Sequence, residues 1–226
     1  MTAVPARIAA RVLDLAFPAR CVGCGIEGHP ICAGCRPVLD SRLDLPAGVP
    51  IGLPADLPPP LLQVEWCAPF AGLVRDALHQ LKYAGERRVA EPLGAAIARR
   101  WTRAGAGGDL LVPVPVHRDR AARRGYDQAE LLAQAAGRHL GLPVHVALVR
   151  WQATTAQFEL DRRARATNVA GAFRIRSPAE SDRVAGRWIV LVDDVMTTGA
   201  TLSACATALR DAGATAVSAI TVARER

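Results

Sequence analysis

The clearest pattern of apolar and polar positions lies near the end of the chain. Residues 188–192 (WIVLV) form an unbroken apolar run of strand length, as in strands buried on both faces of a parallel sheet. Polar residues interrupt it at Asp193. A helical period follows, with Leu202, Cys205, Leu209 and Ala212 on one face and Gly213 as its stop. Residues 215–222 (TAVSAITV) then read as another strand. Strand, helix, strand is a βαβ unit and predicts parallel pairing.

Upstream, Leu73, Ala77, Leu78 and Leu81 have helical spacing, and a second helix is expected from about Val89 to Trp101. Residues 110–116 (LLVPVPV) read as a strand with an irregular end, because Pro113 and Pro115 cannot donate ladder hydrogen bonds. Asp127 followed by Glu130 is a capping-box pattern. It opens a helix with Ala129, Leu132 and Ala136 on one face, stopped by Gly141. Short strands are expected at about 143–149 and 172–176. Three regions result. Residues 1–40 hold an apolar helical stretch and four close cysteines. Residues 41–60 contain six prolines and read as a linker, and residues 61–226 form an α/β domain with a parallel sheet.

Composition narrows this picture. The 226 residues are 50% hydrophobic, which suits a packed domain plus a small module and excludes global disorder. No apolar run reaches the ~18 residues of a membrane-spanning helix, so no membrane insertion is expected. The first residues carry Arg7, Arg11 and Asp14 within their apolar stretch and lack a signal-peptide core. The expected location is therefore cytoplasmic, where cysteines are thiols or metal ligands more often than disulfides. The net charge of +7 suggests an anionic partner. It is localised: residues 1–70 carry a net of −1, and residues 117–176 a net of +6.

Residues 189–201 (IVLVDDVMTTGAT) carry the strongest chemical signal. A buried strand ends in Asp193 and Asp194, and Val195, Met196, Thr197, Thr198, Gly199, Ala200 and Thr201 lead into the helix. The carboxyl edge of a parallel sheet is where α/β folds bind ligands. Loop amides and a helix N-terminus there suit an anion. Two carboxylates beside them would repel a bare phosphate but accept hydrogen bonds from vicinal ribose hydroxyls, directly or through Mg²⁺. The loop thus reads as a sugar-phosphate site. It lacks both the Gly-Lys-Thr/Ser ending of a Walker loop and the G-x-G-x-x-G of a dinucleotide fingerprint. The alternative is an ordinary strand–turn–helix.

All thirteen positions resemble the 5-phosphoribosyl-1-pyrophosphate (PRPP) signature of type I phosphoribosyltransferases. The resemblance implies a Rossmann-like parallel sheet flanked by helices. It also implies that Asp193 and Asp194 hold the ribose 2- and 3-hydroxyls while residues 195–201 wrap the 5-phosphate. Arginines follow the 110–116 strand and suit a diphosphate. In this fold type the better candidates there are Val116, His117 and Arg118, and a solvated basic loop is the alternative. The segment 150–173 alone reads as a surface helix. In this fold type a mobile hood lies there, which would place Gln157, Arg165 and Asn168 over the reactive centre. Phe158 and Glu159 depart from the small or polar residues expected after the glutamine.

The quartet Cys21-x-x-Cys24 and Cys32-x-x-Cys35 supplies four thiolates, a set that suits tetrahedral, structural Zn²⁺. Disulfides and free thiols are the alternatives. Cys67 and Cys205 read as small buried hydrophobes. Lys82, the only lysine, reads either as a phosphate contact or as a solvated helix end. Four tryptophans are scattered, so no base-stacking platform is evident. The segment HRDRAARRGYDQAELLA, the later Q-x-x-L and R-x-x-N-V-x-x-A-F patterns, LKYAG and the cysteines together resemble the ComF family (ComFC/GntX-like), linked to DNA uptake in natural competence. That implies a small N-terminal zinc ribbon on a phosphoribosyltransferase domain using Mg²⁺ with PRPP. The acceptor is left open. The competing expectation is a non-catalytic adaptor that senses PRPP or binds single-stranded DNA and competence partners such as a helicase.

Overall fold

The computed structural model describes residues 18–47, 59–105, 107–116, 122–151 and 171–225. Four strands form one parallel sheet: β1 (Val64–Pro69), β2 (Leu110–Pro113), β5 (Trp188–Met196) and β6 (Ala216–Arg224), in the order β1-β6-β5-β2. A separate antiparallel ribbon pairs β3 (Leu148–Arg150) with β4 (Phe173–Ile175). The helices are α1 (Gly72–His79), α2 (Ala90–Arg103), α3 (Gln128–Leu140), α4 (Pro178–Val184) and α5 (Ala200–Asp211).

The apolar run of β5 explains its place. Its residues alternate between two cores, as strand geometry demands. Val190 and Val192 join Ile220 and Val222 beneath α1, α2 and α3, where Leu78, Leu93 and Leu132 are buried. Ile189 and Leu191 join Val217 and Ala219 beneath α5, which contributes Leu202, Cys205 and Leu209. Each fully buried aliphatic side chain contributes roughly 1.5–3 kcal/mol. Cys67 and Cys205 are both buried in these cores, as expected.

Most expected elements are present, with differences that have physical reasons. β5 runs through Met196, two residues past the Asp193–Asp194 pair expected to end it. Strand β2 stops at Pro113, the first residue that cannot donate. The segment expected as a strand at 143–149 splits. Val144 makes a single bridge to Leu111, and the strand proper begins at Leu148. Strand β1 escaped the pattern because Glu65 interrupts its apolar run, yet Glu65 is fully buried.

That buried carboxylate belongs to a network. Arg100 of α2 donates to Glu65 Oε2 from Nε at 3.0 Å and from Nη2 at 2.6 Å. Its other donors reach the carbonyls of Arg42 at 2.7 Å, Leu45 at 2.6 Å and Pro46 at 3.1 Å. Arg42 lies over the Trp66 ring and donates to the Trp66 carbonyl at 3.1 Å. Arg99 grips Asp40 with Nη2 at 2.9 and 3.1 Å. Residues 40–46 are therefore fastened to β1 and α2. The remainder of the proline-rich stretch, residues 48–58, and the N-terminal helical stretch, residues 1–17, lie outside the described residues.

Candidate functional site

The sheet is parallel, so the ends of β2, β5 and β6 open on one edge. Asp193 and Asp194 stand at that edge on successive positions of β5 and so point to opposite faces. Asp194 is buried, and Asp193 is half-buried on the side of Cys205. The Asp194 N–H donates to Asp193 Oδ1 at 2.8 Å. Burial, and then the neighbouring Asp194 charge, push the Asp193 carboxyl well above its ordinary value. Beyond them Thr197 and Thr198 are exposed. Gly199 adopts φ 79°, ψ 0°, a left-handed conformation that glycine accepts without Cβ strain, and turns the chain into α5. At the start of that twelve-residue helix, the Ala200 N–H donates to Thr198 Oγ1 at 3.4 Å.

A third carboxylate arrives from the β2–α3 connection. Asp127 caps α3, accepting from Ala129 N–H at 2.8 Å and Glu130 N–H at 3.3 Å. Its Oδ2 accepts the Val116 N–H at 3.1 Å, which fixes Val116 at the site edge. The reciprocal half of the expected capping box is replaced: Glu130 accepts instead from Gln134 at 3.0 Å. Burial, and further the charge of Asp194, raise the Asp127 carboxyl.

Lys82 is the functional-site residue that pattern reading placed least well. Helix α1 continues into a π-helical turn, Gln80–Ala84, ended by Gly85. Lys82 Nζ lies 2.8 Å from Asp194 Oδ2, with the lysine side chain 21% and the aspartate side chain 8% exposed. It is not a solvated helix end. Tyr126 donates its hydroxyl to the Leu81 carbonyl, tying the π turn to the residue beside Asp127. Arg87 lies 4.4 Å over the Tyr126 ring and Arg124 5.1 Å over the Tyr83 ring. Two signals in the sequence pointed to Lys82: it is a single lysine among 28 basic residues, and it lies in the LKYAG segment singled out above. His117, Arg118, Gln157, Arg165 and Asn168 lie outside the described residues.

The second cluster is the cysteine quartet. The Sγ atoms of Cys21, Cys24, Cys32 and Cys35 all lie within 4.8 Å of one another, with Cys24 and Cys32 at 3.6 Å. Four sulfurs around Zn²⁺ at about 2.3 Å would sit roughly 3.8 Å apart, so the set fits that ion. Burial pushes the Cys21 thiol up, but N–H donors from Cys32, Cys24 and Gly23 outweigh it and bring it to about 6. Cys35 is pushed up to about 12 by proton sharing with Cys21 and Cys32. Four thiolates together therefore call for a cation. The module is packed against the domain. A Cβ on Gly23 would stand 2.5 Å from Leu73 of α1 and 2.8 Å from Cys35 Sγ.

Residues 123–226 match the phosphoribosyl transferase domain family. The DNA utilization protein YhgH of Escherichia coli (strain K12) is 35% identical over 167 residues, which cover 71% of this chain and 71% of that protein. Competence protein F of Haemophilus influenzae is 36% identical over 106 residues, 46% of this chain and 45% of that protein. The chain belongs to the ComF family. Among solved structures, the glutamine PRPP amidotransferase of B. subtilis overlays 59% of this ComF chain at 21% identity. Its TM-score is 0.40, and the overlay spans 26% of that enzyme.

The phosphoribosyltransferase-type part of this ComF chain thus holds α3, β5, the Asp193–Thr201 segment and α5. Its cysteine quartet and Lys82 both precede that part. Among the described residues, no helix is long and apolar enough to cross a membrane.

Proposed function

We propose that this ComF chain binds Mg²⁺–PRPP at the carboxyl edge of the sheet and transfers the phosphoribosyl group to an acceptor. The observation that carries the reading is the continuity of one segment. Two carboxylates on β5 pass directly into exposed Thr197 and Thr198, the left-handed Gly199 and the start of α5. In this reading Asp193 and Asp194 accept hydrogen bonds from the ribose hydroxyls. Residues 195–201 donate to the 5-phosphate. Val116, His117 and Arg118 meet the diphosphate, and Gln157, Arg165 and Asn168 close over C1. Mg²⁺ enters with the substrate and balances the diphosphate charge. The acceptor forms a bond to C1 as the C1–oxygen bond breaks and pyrophosphate leaves. Positioning, electrostatic complementarity and exclusion of water supply the rate. This work takes place in the cytoplasm.

Calorimetric titration with Mg²⁺–PRPP tests the site. Asp193→Asn and Asp194→Asn should each weaken binding ~10- to 100-fold, the worth of a hydrogen bond to a charged group. Unchanged affinity in both would overturn the assignment. A second reading is favoured by the names of the relatives, which describe DNA utilization and competence and not a reaction. There the chain is an adaptor that senses PRPP and engages single-stranded DNA or a helicase-type partner. Pyrophosphate release across a panel of bases and amines separates the two. Turnover supports the transferase; PRPP binding without turnover, with DNA affinity that falls steeply with salt, supports the adaptor.

A further inference from the structure

Lys82 is tied to the site more closely than a chance surface ion pair. Its partner Asp194 is buried, so the ammonium compensates a carboxylate that water barely reaches. The residue before it, Leu81, is fully buried and anchors the backbone. The Tyr126 hydroxyl holds the Leu81 carbonyl, and the adjacent Asp127 fixes Val116. One short chain of contacts therefore runs from the π turn to both sides of the edge. Single π turns interrupt α-helices frequently at functional sites. Here the turn places the chain's only lysine at the edge, although every other basic residue is arginine. Without that lysine, Asp127, Asp193 and Asp194 would present an uncompensated acidic cluster to any incoming phosphate.

We propose that Lys82 is the positioning residue of the ribose site: it sets the orientation of Asp194 and offsets the three-carboxylate cluster so that an anionic sugar phosphate can enter. This rests on the PRPP reading and adds that Lys82 acts through Asp194 and not on the diphosphate. Two ligands separate the roles. Ribose 5-phosphate keeps the hydroxyls and the 5-phosphate but lacks the diphosphate.

The full chain, as wild type, Lys82→Gln, Lys82→Arg and Tyr126→Phe, is titrated with Mg²⁺–PRPP and with ribose 5-phosphate, with unfolding temperatures measured alongside. Lys82→Gln should weaken both ligands by a similar factor, ~10-fold or more. Lys82→Arg, which keeps the charge, should recover most of that loss, and Tyr126→Phe should weaken both ligands by about threefold. Wild-type affinity in Lys82→Gln overturns the inference and leaves the PRPP reading standing. A loss confined to PRPP also overturns it, because Lys82 would then be a diphosphate contact. Should Lys82→Gln unfold, Lys82→Arg and Tyr126→Phe still decide: wild-type affinity in Tyr126→Phe with full loss in Lys82→Arg overturns the inference. Wild-type protein that binds neither ligand overturns the PRPP reading and this inference together.

Discussion

Two clusters of ionisable side chains define this molecule, and they are built in opposite ways. The cysteine quartet is assembled from two turns eight residues apart, uses soft donors, and closes on itself with all four sulfurs within 4.8 Å. The carboxyl edge is assembled from three distant segments, uses hard oxygen donors, and stays open, with two threonines exposed beside it. A closed set of four ligands leaves no position for a reactant, so its worth is stability. An open edge with raised carboxyls costs stability and gains a binding surface. Perturbing the first should therefore move the unfolding transition, and perturbing the second should move ligand affinity.

The largest expected effect comes from Cys21→Ser. It should abolish stoichiometric zinc, measured by elemental analysis, and lower the unfolding temperature on the order of 10 °C, since each kcal/mol is worth about 2–4 °C at this size. The contrast breaks if zinc is lost while the transition stays put. Next is Glu65→Ala, which strands Arg42 and Arg100 without their buried carboxylate. Removing one partner of a buried pair costs about 3–5 kcal/mol. The urea midpoint should fall accordingly, with zinc content unchanged.

Asp193→Asn sharpens the comparison from the other side. The native state holds the Asp193 proton more tightly than the unfolded chain, whose carboxyl titrates near 3.8. Ionisation of this group therefore penalises the fold as pH rises through its raised native value, and the penalty is absent below the unfolded one. The variant should unfold at a higher temperature than wild type at neutral pH while binding PRPP more weakly. Its stability gain should vanish in acid. The smallest effect is Gly199→Ala, which forces a Cβ into the left-handed region at a cost of about 1–2 kcal/mol. Affinity measured by calorimetry should drop by about threefold, less than in Asp193→Asn.

These contrasts also track what pattern reading can reach. The cysteine quartet and the β5–α5 segment were legible because their residues are neighbours in sequence: spacing alone brings Cys21 to Cys24, and an apolar run alone buries β5. Asp127 was legible as a helix cap, but its second bond to Val116 was not. Glu65 and Arg100 were missed, and Lys82 was left between a phosphate contact and a solvated helix end, for a common reason. Each is a charged residue buried or half-buried by a partner far along the chain, and nothing in its own stretch distinguishes it from a solvated charge. Helix α4 was overlooked although Ser177 and Pro178 form an ordinary start, because its seven residues are too few to show a period.

The Arg100 cluster has one more consequence. Beyond Glu65, the groups its guanidinium grips are main-chain carbonyls of Arg42, Leu43, Leu45 and Pro46. Carbonyls are the same whatever side chain they carry, so this arginine checks the length and path of the segment and not its lettering. The contacts to Arg100 therefore place no demand on the side chains at 43, 45 and 46. Gaining or losing a single residue there would slide the carbonyls out of reach and leave Glu65 to meet the buried cation alone.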